Sequence, residues 1–210
     1  MQDIKLLDPN FTFADLEAMA KPLDATGPEQ FPHWLYDSQT FTFATDTKLT
    51  FFQNVNADKT LCNLQLAASL PQGEYFWPQY ATFDPLFNSE VGAATLAGMW
   101  DEINRFVHTS HPSWTFSIKS KSYGPWPLSL AHGSGGAVGA GLAAIAGPLT
   151  YSQGNNGVQD GGQCINGIPI IPPNTAFIIT VNWGALVTGN VAATVLCRFT
   201  LAGAYFRQVA

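Results

Sequence analysis

Short runs in which apolar and polar residues alternate recur along this chain, and their period of two is that of a strand buried on one face. "TFTFAT" (40–45) is such a run, and "KLTFFQNV" (48–55) follows it. In "TLCNLQLAASLPQGEYFWPQY" (60–80), Cys62, Leu64 and Leu66 share one face and "LPQGE" supplies a turn. Trp114, Phe116 and Ile118 alternate with Thr115, Ser117 and Lys119. Two strong strands close the chain. One places Phe177, Ile179, Val181 and Trp183 on a single face, and the other alternates from Val191 through Val195, Cys197 and Phe199 to Leu201.

Residues 89–108 follow a different period. Leu96, Trp100, Ile103 and Val107 recur at helical spacing, Met99 and Phe106 widen the stripe, Ser89 suits the cap and "TSHP" the end. Residues 1–39 read as an arm: "TFADLEAMAKP" forms a short helix with Thr12 as N-cap, Asp15 as its capping-box partner and Pro22 as the stop. The following "KPLDATGPEQFPHW" holds three prolines and a glycine and is expected to wander over a surface. The region 124–168 is glycine-rich and reads as long and irregular.

These elements amount to about seven to nine strands around one helix, and strands and helix do not alternate, which argues against a parallel α/β sheet. The expected fold is therefore all-β: a two-sheet antiparallel β-sandwich, a single jelly roll, with one inserted helix at 89–108 and an extended N-terminal arm. The arm takes residues 1–39 and the sandwich 40–210.

Composition adds a surface property. Charged residues are 11% of the chain and aromatics 13%, so Ser, Thr, Asn, Gln and apolar groups must cover most of the exterior, and such a surface favours self-association. Residues 1–102 hold fourteen of the fifteen acids against four lysines, net −10, while residues 103–210 carry net +4. Two electrically different halves suit head-to-side packing of copies, although acids gathered in an arm would give the same count. Neither half has the Lys/Arg cluster of a nucleic-acid-binding protein. Cys62, Cys164 and Cys197 lack a C-x-x-C and read as buried thiols of a reducing compartment. The start "MQDIKLLDPNF" lacks the pattern of a signal peptide, and no run reaches the ~18 apolar residues of a membrane span. A soluble chain made in the cytoplasm is expected.

Candidate chemistry is sparse. "GGAVGAGLAAIAGP" (135–148) contains Gly139-x-Gly141-x-x-Ala144, the loose dinucleotide pattern. That reading needs a preceding strand, a following helix and an acid ending a second strand, yet Asp160 sits in "NNGVQDGGQ" and Pro148 stops any helix early. A membrane-interface reading lacks a basic flank. The third reading is a segment whose small side chains permit close approach, between neighbouring copies or over its own sheet. His108 and His111 miss the spacing of a zinc helix. Ser134 in "HGSGG" departs from a nucleophile elbow, and Glu74, Asp84 and Glu90 are not positioned as a pair by anything in the pattern. No catalytic, metal or cofactor residue is named, and an enzyme is not expected. Trp77, Trp126 and Trp183 suit either the core or stacking on sugars.

With the strands in view, four segments carry a resemblance: "KLTFFQNVNADKTLCNLQLAASLPQGEYFWPQYATF" (48–83), "GPWPLSLAHGSGG" (124–136), "NGIPIIPPNTAFIITVNW" (166–183) and the terminal "LAGAYFRQV". Together they make the chain resemble structural proteins of bacterial viruses with jelly-roll capsid shells. The resemblance implies a major capsid protein, made in the host cytoplasm and located in the virion, that self-assembles into an icosahedral shell. Its implied partners are copies of itself in trimer or hexamer capsomers and other virion proteins, with an internal lipid membrane left open and no sequence-specific nucleic acid. The resemblance carries no catalytic residue and no cofactor. It implies contacts to neighbours through the arm, whose apolar residues are Phe11, Phe13, Leu16, Phe31 and Trp34. The alternative is a spike, fibre or decoration protein that binds host glycans through exposed aromatics.

Overall fold

The computed structural model describes residues 29–86, 106–107, 111–131, 137–140, 152–155, 163–165, 167–188 and 194–207. Among them are three long strands, β1 (Glu29–Thr42), β3 (Glu74–Leu86) and β10 (Thr194–Arg207). The shorter ones are β2 (Lys48–Phe51), β4 (Ser113–Ile118), β5 (Lys121–Pro127), β6 (Ala137–Ala140), β7 (Ser152–Asn155), β8 (Gln163–Cys164) and β9 (Phe177–Asn182). They form two four-stranded antiparallel sheets, ordered β1-β10-β3-β8 and β2-β9-β4-β5, and a separate β6-β7 hairpin. The protein is all-β. Its pairs are nested along the chain: β1 with β10, β2 with β9, β3 with β8 and β4 with β5.

Alternation explains the core. β4 and β9 bury every second residue, and so does β10 through Val195, Cys197, Phe199 and Leu201. Side chains of the two sheets meet in one apolar cluster. Phe51 of the second sheet lies 5.7 Å from Phe199 and 6.4 Å from Phe83 of the first, and Trp114 lies 5.2 Å from Phe199. Each buried aromatic of this kind contributes about 2 kcal/mol by removal from water.

Of the expected helix at 89–108, the described residues include only Phe106 and Val107, which are helical and buried. Phe106 stacks on Trp183 at 4.8 Å and accepts the indole N–H of Trp183 at its carbonyl, 2.8 Å away.

Four expectations need correction. The arm does not extend to residue 39, because Glu29–Thr42 is strand and pairs with β10 over its whole length. Proline is tolerated there by parity. The Tyr36 N–H and C=O point away from β10, to Asn63, so Pro32, four residues earlier, also turns its missing N–H outward. "TFTFAT" is not one strand, since β1 ends at Thr42 and Phe43–Thr45 turn. Cys62, Leu64 and Leu66 form no strand: the first two are buried in a loop, whereas Leu66 is exposed. The region 124–168 is also less irregular than its glycines suggest, holding the end of β5, the helical turn Leu128–Ala131, the β6-β7 hairpin and β8.

Candidate functional site

β1 is an edge strand, and it carries the described part of the expected contact arm. Phe31 and Trp34 are three residues apart, so a strand sends them to opposite faces. Phe31 turns inward, 5.3 Å from the ring of Tyr205, and packs on the core. It is therefore not a free contact residue. Trp34 faces outward and is 59% exposed. Phe11, Phe13 and Leu16 lie outside the described residues.

On the outward face of the first sheet the two register rows at Trp34 carry no charged side chain, and Arg198 and Asp84 come in the row after them. Trp34, Ala202 and Tyr80 are in register across three strands, and Tyr36, Thr200 and Thr82 form the next row. Toward the Glu29 end of this sheet a second apolar cluster, Ile170, Ala204 and Phe206, is buried, with Tyr75 and Trp77 packed against it.

The open edge of β1 is partly closed by the loop after β2. Asn63 accepts the Tyr36 N–H at 2.8 Å, donates its own N–H to the Tyr36 carbonyl and donates its amide to the Trp34 carbonyl. Arg198 lies over the Tyr36 ring at 5.1 Å and donates to Ser38 and to the Thr60 carbonyl. Beneath them the buried Asp37 carboxylate accepts the Phe52 N–H at 2.6 Å and the Gln39 amide at 3.0 Å. At the far edge of the second sheet, β5 presents Lys121, Pro125 and Pro127, which blunt strand-to-strand pairing. Both of these edges are thus poorly suited to pairing with another strand.

At the Glu29 end of the sheet, Tyr205 donates its hydroxyl to Glu74, and the His33 ring meets the Tyr205 ring edge-on at 4.9 Å. Burial and the Glu74 carboxylate push the Tyr205 hydroxyl well up. Burial holds His33 below its ordinary value, against an upward pull from Glu74. The folded chain thus binds this proton less readily than the unfolded chain. The His33 contribution is fully present above about pH 6.5 and is lost as pH falls through the lower folded value. In urea melts at pH 7.5 and 5, His33→Gln is expected to lose less of its midpoint on acidification than the parent chain. An equal loss in both would remove His33 from that linkage.

The residues weighed for other chemistry in the sequence are placed as follows. Glu74 and Asp84 stand at opposite ends of β3, about 30 Å apart by strand rise, too far for a glycosidase pair. β6 runs through Gly139 to Ala140, so the first glycine of the dinucleotide pattern is inside a strand instead of after one. Cys62 and Cys197 are free and buried, and burial raises both thiols. No group of three His, Cys, Asp or Glu is arranged to hold a metal among the described residues, and no described helix is long and apolar enough to cross a membrane. His108, His132, Ser134, Glu90 and Asp160 lie outside the described residues.

The chain matches no protein-family model, and comparisons with curated proteins and with solved structures found no match.

Proposed function

We propose that this chain is a virion structural protein, the major capsid protein of a bacterial virus, which self-assembles into an icosahedral shell. The observation that carries the reading is the nested strand order. Four antiparallel pairs, each enclosing the next and split between two sheets, support reading the fold as one long hairpin wound into a single jelly-roll sandwich, with β6-β7 as an insertion. Capsid subunits and lectins share that architecture, so the choice between them rests on surface character. The neutral rows around Trp34, the exposed Leu130 and Leu186 and the low charge favour a subunit covered on several sides by its own copies.

Light scattering and electron microscopy of the full chain across salt and concentration test this. Trimers or hexamers growing into shell-sized particles are expected, and a salt-insensitive monomer or lone trimer overturns the reading. Removal of residues 2–28 leaves β1 whole and is expected to give a cooperatively melting domain that no longer assembles. Shells from that truncated chain would count against a role for the arm. Removal of residues 2–35 also strips Phe31 and Leu35 from the sheet and is expected to leave no cooperative melt.

A further inference from the structure

Strands β4 and β5 each carry a tryptophan, and the two are paired in register, Trp114 with Trp126. One register pair along, at Ser113 and Pro127, the surface opens into a pocket of about 340 Å³. Pro112, Pro125, Pro127 and Trp126 make its apolar wall, and His111, Ser113 and Ser129 supply its polar groups. We infer that this pocket binds a single neutral sugar ring, stacked on Trp126, with its hydroxyls hydrogen-bonded by Ser113, Ser129 and His111.

Three properties point to that ligand. Among the described residues the lining contains no carboxylate, ammonium or guanidinium, so from these an ionic ligand would find no compensating charge on leaving water. A pyranose suits the mixture, because it has one C–H face to lay on an indole and a rim of hydroxyls. The volume lies at the small end of ligand sites, room for one ring and not for an extended peptide.

The site is also rigid before anything binds. The Trp126 indole lies 4.5 Å from that of Trp114 and directly over Gly124, where a Cβ would come within 2.9 Å of its Cε3 atom. Three prolines fix the surrounding φ angles, and the Leu128 N–H ties the end of β5 to the Pro112 carbonyl at 2.8 Å. Little freedom is left to lose on binding.

Saturation-transfer NMR on the full chain tests the inference. The probes are the methyl glycosides of glucose, galactose, mannose and N-acetylglucosamine, with sialic acid and a proline-rich peptide as contrasts. Saturation of the ring protons of at least one neutral glycoside is expected, at a dissociation constant on the order of 1 mM. Ser129→Phe puts a phenyl ring into the pocket from a half-buried position, and is expected to weaken binding at least about tenfold at an unchanged melting temperature. His111→Asn suits the left-handed backbone there, φ 51°, and is expected to weaken binding by a smaller factor. The inference is overturned if no neutral glycoside is saturated, if Ser129→Phe binds as well as the parent chain, or if sialic acid or the peptide binds in the sugar's place. The pocket lies within one chain, so the result does not depend on whether shells form.

Discussion

Gly203→Ala is expected to lower the melting temperature by roughly 10 °C, the equivalent of about 3 kcal/mol in a domain of this size. Gly203 sits in β10 where the register with β3 shifts. Ala202 pairs with Tyr80 and Gly203 with Pro78, leaving Gln79 as the extra residue of a bulge. The bulge drives β3 toward its neighbour, and a Cβ on Gly203 would lie 2.0 Å from the Trp77 carbonyl oxygen and 3.0 Å from the Pro78 Cα. Both are backbone atoms, which cannot rotate aside, so the central strand pair must separate or lose the bulge. Ala202→Ser, one residue earlier and half-buried on the outward face, is expected to change stability by less than about 0.5 kcal/mol. Differential scanning calorimetry of the two variants is the check. A Gly203→Ala chain melting within 2 °C of the parent would mean that the close approach is not a constraint.

The same bulge shows how much of this fold could be read from residues alone. β4, β9 and the middle of β10 were legible because each buries one face and exposes the other without interruption. β1 was not legible beyond its end, although its alternation begins at Phe31 and runs through His33 and Leu35. Asp37 and Gln39 occupy inward positions and break the apolar pattern, and Pro32 removes a backbone donor. Each exception has a local cause: Asp37 holds the Phe52 and Gln39 donors, and Pro32 faces the open edge. For the candidate contact residues, three-residue spacing decides the outcome once the strand is known, sending Phe31 to the core and Trp34 to the surface. Of the pocket as a sugar site, the sequence singled out Trp126 alone, as one of three tryptophans suited to the core or to sugar stacking. The pocket depends on a hairpin bringing 111–113 to 125–129, and spacing along the chain does not encode that meeting.

Asp37→Ala is expected to cost about 3 kcal/mol and to free the loop that closes the edge of β1. Phe52 is fully buried with φ 66°, a left-handed conformation that a bulky side chain adopts at a cost of about 1–3 kcal/mol. Two contacts offset that cost: the Phe52 ring packs against Phe177 at 5.5 Å, and its N–H reaches the Asp37 carboxylate at 2.6 Å. Alanine leaves that N–H buried without an acceptor and also strands the Gln39 amide. Asparagine keeps an acceptor oxygen in the same place, so Asp37→Asn is expected to lose only about 1 kcal/mol. Cys62 reports on the loop directly, because it bridges to Asp37 and its thiol is fully buried, held in its un-ionised form by burial and by the neighbouring carboxylate. In Asp37→Ala, Cys62 should react with a disulfide reagent at neutral pH at least about tenfold faster than in the parent chain, while Cys197 stays protected in the core. Urea midpoints and peptide mapping of the labelled cysteine give both readouts. A destabilised Asp37→Ala chain in which Cys62 remains unreactive would show that the carboxylate supports β1 without holding the loop against it.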